Sequence, residues 1–291
     1  MTLLHEAAAL GFRLSTRRRI PARSCYLRNR VSKTKRQVSA NFSTILRGET
    51  KTLALITKNA RLVALQAAGE RTPFFMVGSY PYFIDVVKLL GTDRPVLSLI
   101  APEIHSVSLV AAAHVKTILE RQPHGPYMLG GGSVGGLVAY EIAQLLQALG
   151  HEVGLLVLFD MPNCHRMPGE GVFASLAAIR SALVRIRGRD IPREDIEIAA
   201  ARKYRPAPYS GRLLLVKRHR GLNWRWRFIE PDFGWGETVR GGLEICLVGA
   251  AEHVEIFKSE VDRALIARTL REWFDEVELR SRGRILSHPP T

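Results

Sequence analysis

The 291-residue sequence is poor in the features that mark most specialised chains. It has three cysteines, Cys25, Cys164 and Cys246, an odd number with no CxxC pair. That excludes a disulfide scaffold and reads as a reduced, cytoplasmic chain. No apolar run approaches the ~18 residues of a membrane span. The 24 glycines and 15 prolines are too few for a collagen-like chain, and no internal repeat or low-complexity tract is present. Acidic residues are nearly missing from one end: positions 1–60 hold Glu6 and Glu49 against 13 basic residues. What is there is ordinary for a globular protein, with 46% apolar and 24% charged residues. The length allows one large domain with a sizeable core, or two small ones.

Charge is distributed unevenly. The first 60 residues carry +11 of the net +15, so the basicity belongs to an arm and not to the whole chain. Such an arm suits a polyanion, an anionic surface or an acidic partner. It has no RNP motif, no zinc spacing and few aromatics, so nucleic acid is not the expected partner. The arginines at 17–19 are followed by no apolar stretch, which argues against an export signal; a transit peptide fits by composition alone. The plain expectation is a poorly ordered leader or linker over 1–60, a domain over 61–280, and a short tail over 281–291.

From about residue 62 apolar runs alternate with amphipathic stretches. Strands are expected at 73–77 (PFFMV), 95–100 (PVLSLI), 126–129 (PYML), 153–159 (VGLLVLF), 212–216 (RLLLV) and 243–248 (LEICLV). Helices are expected at 82–90, 106–121 with Ser106 as N-cap, 134–149 ending at Gly150, and about 254–276. Unbroken apolar strands between amphipathic helices indicate an α/β fold, its mostly parallel sheet flanked by helices on both faces. Residues 161–209 interrupt the alternation with two helix-like stretches, near 172–187 and 193–203. An insertion after a strand's carboxyl end sits over the ligand crevice, so this one reads as a short helical lid.

Residues 131–135 read Gly-Gly-Ser-Val-Gly, a G-x-S-x-G motif with a strand before it and a helix after it. In that setting a tight turn lifts the Ser133 hydroxyl clear of the sheet. The helix start adds unpaired N–H groups and a positive dipole end, both suited to an oxyanion. Two other readings compete. An anion-binding loop would want a lysine, which Gly130–Gly136 lacks. A phosphopantetheine attachment serine is suggested by Leu129-Gly130-Gly131-Gly132-Ser133, but that role leaves Asp160 and His253 without purpose.

A serine nucleophile needs a base, and the base an orienting acid. Asp160 closes the strand 153–159, at the edge where a parallel sheet places its active site. Of the later histidines, His165 is too close to Asp160, His219 lies in a basic loop and His288 in a proline-ended stretch. His253 follows the last apolar strand, where the order Ser, acid, His requires the base. No His/Cys/Asp cluster suggests a metal.

These residues resemble the thioesterase domains of nonribosomal peptide and polyketide synthetases and their stand-alone relatives. The resemblance runs from about Leu62 to Phe274. It rests on the block 126–160, on YRPAPYSG (204–211), on GWG (234–236) and on GAAEHVEIF (249–257). It implies an α/β-hydrolase fold, Ser133 as acyl acceptor, His253 as base and Asp160 as its partner. It implies no cofactor of the protein's own, and a small acyl or peptidyl thioester presented on the phosphopantetheine of a carrier protein or synthetase module. Two departures stand out. Val77-Gly78-Ser79-Tyr80-Pro81 replaces the family's His-Pro or Gly-rich run, so the oxyanion donors are expected to be the main-chain N–H of Val134 with that of Ser79 or Tyr80. Gly132 replaces a frequent Trp or His, which opens the mouth. The rival readings are another serine α/β-hydrolase, an esterase or acyltransferase, and a non-catalytic binding protein using the basic arm.

Overall fold

The sheet follows from apolar continuity. In the computed structural model, which describes residues 18–20, 61–78, 82–101, 103–166, 192–218, 231–250 and 252–287, eight strands form one sheet. They are β1 (Arg18–Ile20), β2 (Arg61–Gln66), β3 (Phe74–Val77), β4 (Val96–Ile100), β5 (Tyr127–Gly132), β6 (Val153–Phe159), β7 (Leu213–Arg218) and β8 (Leu243–Val248). The order is β1-β8-β7-β6-β5-β3-β4-β2. The six inner strands are mutually parallel, while β1 and β2 run antiparallel to β8 and β4 at the two edges.

Alternation along each strand builds two cores. Phe75 and Val77 of β3, with Leu156 and Leu158 of β6, face α2 (Val107–Arg121) and α3 (Ser133–Ala148). Phe74 and Met76, with Leu155, Val157 and Phe159, face α1 (Phe83–Leu90) and the C-terminal helix. Burial on both faces is why these strands read as unbroken apolar runs. Ser106 caps α2 as expected, its hydroxyl accepting from Leu109 N at 3.4 Å.

The remaining helices are α4 (Arg193–Lys203) and α5 (Glu260–Ser287). The expected last helix, 254–276, and the tail at 281 need correction. A 3₁₀ turn occupies His253–Glu255, and α5 starts at Glu260 and continues to Ser287. The charged run Glu278, Arg280, Arg282 and Arg284 hides its continuation from a reading based on apolar spacing. Of the basic arm only residues 18–20 are described, as β1; the expectation for the rest lies outside the described residues, as does the helix-like stretch near 172–187.

Both ends of the 161–209 insertion are clamped. Trp235 Nε1 donates to the Met161 carbonyl at 2.8 Å, and Asn163 N to the Phe233 carbonyl at 2.9 Å. At the far end, Tyr140 Oη and Gln144 Nε2 on α3 both donate to the Ala207 carbonyl, and Tyr204 Oη donates to Glu141. Among the described residues no helix is long and apolar enough to cross a membrane, and no group of three or more His, Cys, Asp or Glu could hold a metal.

Candidate active site

β5 passes into α3 without a loop: Gly132 is the last strand residue and Ser133 the first of the helix. So abrupt a turn forces Ser133 to φ 46°, the left-handed region, which costs an L-residue roughly 1–2 kcal/mol. The glycines make room for it. A Cβ on Gly131 would lie 2.3 Å from the Gly135 carbonyl oxygen, and one on Gly130 would lie 2.5 Å from the Phe74 ring. Gly132, as N-cap, offers no side-chain acceptor to the first-turn N–H groups, Val134's among them. They point their partial positive charge at the ground in front of Ser133.

Asp160 follows β6 directly, also left-handed, at φ 47°. Its main chain is tied to the neighbouring strand through its N–H and the Val216 carbonyl, at 2.7 Å. Its side chain is almost wholly buried, and Oδ2 meets His253 Nδ1 at 2.8 Å. His253 sits in the 3₁₀ turn after β8 and is 42% exposed. Three strands are therefore needed to assemble the pair, with β7 lying between β6 and β8.

β7 contributes more than a spacer. Arg218, its last residue, is 8% exposed. Its Nε donates to Asp160 Oδ2 at 2.7 Å, and its main-chain N–H to Oδ1 at 3.3 Å. Burial pushes the Asp160 carboxyl up. The His253 hydrogen bond and the Arg218 charge outweigh that and hold it below the usual aspartate value. The sequence reading ended this strand at Val216, because Lys217 and Arg218 are charged. Both are buried, Lys217 with its ammonium on the Pro231 carbonyl at 2.8 Å and over the Phe233 ring. The available signal was positional: β7 lies beside the Asp160 strand, so its carboxyl end falls at the same edge.

Ser133, Val134 and His253 line one cavity of about 620 Å³. Its floor is apolar, from Leu99, Ile104, Phe159 and Ile256, and its rim carries Arg193, Glu194 and Glu197 of α4. Gly78 also lines it, and its carbonyl accepts from the buried Ser98 hydroxyl at 2.6 Å, a contact the sequence did not disclose. The expected oxyanion residues Ser79 and Tyr80 lie outside the described residues, as do His219 and His288. His165 is exposed in the 3₁₀ turn Cys164–Arg166 and does not line the cavity.

Parts of this chain are similar to known proteins. The family described as "Thioesterase domain" matches residues 76–201. The nonribosomal peptide synthetase btyA of Aspergillus terreus is 30% identical over 247 residues, 77% of this chain and 26% of that protein. The inactive atromentin synthetase invA4 of Paxillus involutus is 33% identical over 132 residues, 40% of this chain and 14% of that protein. The chain thus spans only about a quarter of the first of these relatives and a seventh of the second. Among solved structures, the NocB thioesterase domain in covalent complex with a fluorophosphonate nocardicin G analogue superposes with a TM-score of 0.54 at 24% identity, covering 73% of this chain and 98% of that one. Residues 76–201 are thus similar to the thioesterase-domain family, and the chain carries them on an α/β-hydrolase fold.

Proposed function

We propose that this chain is a serine thioesterase that releases an acyl or peptidyl chain from the phosphopantetheine thioester of a carrier protein. The observation that carries the reading is the Asp160–His253 hydrogen bond at the wall of a cavity that the elbow serine also lines. With Nδ1–H donated to Asp160, the lone pair of His253 is on Nε2, turned to the task of a base. His253 takes the Ser133 proton as Oγ bonds to the thioester carbonyl carbon. The oxyanion is held by Val134 N–H and by a main-chain donor of the Ser79-Tyr80 segment; losing one such donor typically costs about 10²–10³ in rate. The C–S bond then breaks, and the thiol leaves with the proton from His253. Water, deprotonated by the same histidine, bonds to the acyl carbon, and Ser133 Oγ leaves with that proton to give the free acid; an internal nucleophile of the acyl chain in place of water yields a ring.

The apolar floor suits an acyl group, and the charged rim suits an opening to solvent. The synthetase relatives support a carrier domain as the source of the thioester. Intact mass after exposure to a fluorophosphonate tests the nucleophile without any guess at substrate. One adduct is expected on the wild type and none on Ser133→Ala or His253→Ala. Acyl-pantetheine thioesters should then turn over faster than the matching oxygen esters. A folded wild type that takes no adduct, or an adduct retained in Ser133→Ala, removes the serine mechanism.

A further inference from the structure

Resting on that triad, we propose that Arg218 is a positioning residue of the catalytic acid: it fixes the plane of the Asp160 carboxylate and limits how much of its charge reaches His253. One oxygen, Oδ2, takes both donors, His253 Nδ1 at 2.8 Å and Arg218 Nε at 2.7 Å. The other oxygen takes the Arg218 main-chain N–H. A single residue therefore grips the carboxylate at both ends, and the last rung of β7 sets its orientation. Asp160 follows β6 in a left-handed conformation, so its own backbone does not present the carboxylate in the ordinary strand direction. The grip from β7 supplies what the turn gives up.

The charge argument is separate. Asp160 is 2% exposed, and an isolated buried carboxylate would be driven to protonate. The His253 hydrogen bond and the Arg218 charge together keep it ionised, and the guanidinium offsets part of the negative charge that would stabilise an imidazolium at His253. The other charges around it are Lys217, whose ammonium feels Asp160 and Asp232 and is anchored on the Pro231 carbonyl. Only Arg218 and His253 hydrogen-bond the carboxylate among the described residues.

Two readouts on the full chain test this. One is the pH dependence of fluorophosphonate labelling at Ser133. The other is the downfield proton resonance of His253 Nδ1–H, which does not require Ser133 to react. Arg218→Gln removes the charge, and its acid limb should move up by about one pH unit. Its maximal rate should fall about tenfold or more as the carboxylate loses its fixed plane. The resonance should move from its wild-type position. Arg218→Lys keeps the charge without the planar fork, so its limb should return toward wild type while the rate stays low. A folded Arg218→Gln whose limb and resonance match the wild type overturns the positioning role. If that variant does not fold, Arg218→Lys decides: a wild-type maximal rate overturns the role, and a tenfold loss with the limb in place supports it. A wild type that never labels, yet whose resonance responds to Arg218→Gln, sinks the nucleophile and spares Arg218.

Discussion

At the scale of single residues, the site depends on atoms that are missing. Gly131 has no Cβ because the first turn of α3 lies against it, and a methyl there would enter the Gly135 carbonyl at 2.3 Å. Backbone cannot step aside as a side chain can, so Gly131→Ala should destabilise the fold by about 1–3 kcal/mol, as overpacking does. It should also slow fluorophosphonate labelling more than it lowers the melting temperature, because the displaced element carries Ser133; equal labelling rates would show that the turn absorbs the methyl. Such glycines are legible in sequence: motif and chain order single out the elbow, Asp160 and His253, and geometry brings Asp160 and His253 into contact and Ser133 and His253 to one cavity. Arg218 was not legible. A charged residue after an apolar strand reads as the start of a loop, and its burial beside a carboxylate 58 positions away has no mark in the local sequence.

At the scale of elements, inner strands announced themselves and edge strands did not. β5 to β8 are buried on both faces, and their apolar runs survive any window of reading. β2 is half exposed and bulged near Ala64 and Gln66, which erases the alternation. Among the helices, α2 holds an unusual group: His114 is wholly buried, and neither ring nitrogen has a hydrogen-bond partner among the described residues. Burial lowers its pKa to about 4. The unfolded chain therefore binds this proton more readily than the folded one, and stability must fall as pH drops from about 6.5 toward 4. Between pH 7 and pH 5 the loss from this one group is about 2 kcal/mol by linkage. His114→Leu should remove that dependence, so that urea unfolding at the two pH values gives nearly the same free energy. An unchanged difference would mean that His114 finds a proton acceptor when charged.

At the scale of the whole molecule, the C-terminal helix is tied to chain some 200 residues earlier. Glu278 accepts from Arg94 Nη2 at 2.7 Å and from Arg71 Nη2 at 2.6 Å, and the Arg94 guanidinium stacks on Phe274. Burial pushes the Glu278 carboxyl up, but its two arginines hold it below the usual glutamate range. Its stabilising effect is thus complete above the unfolded value, about 4.3, and is lost as pH falls through the folded one. Glu278→Gln leaves the Arg94 charge buried without its partner and should cost about 3–5 kcal/mol at neutral pH, read by urea unfolding. A cost under about 1 kcal/mol would mean that Asp93 and Asp275, which already hold Arg71, take over. The clamps at Met161, Asn163 and Ala207 have a consequence of a different kind. Because both ends of the insertion are moored to α3 and to residues 231–240, the sheet is indifferent to the length of chain between them. Doubling a loop adds only about 0.6 kcal/mol of closure entropy. A change in the length of chain between these moorings should therefore leave the turn that carries Ser133 where it is.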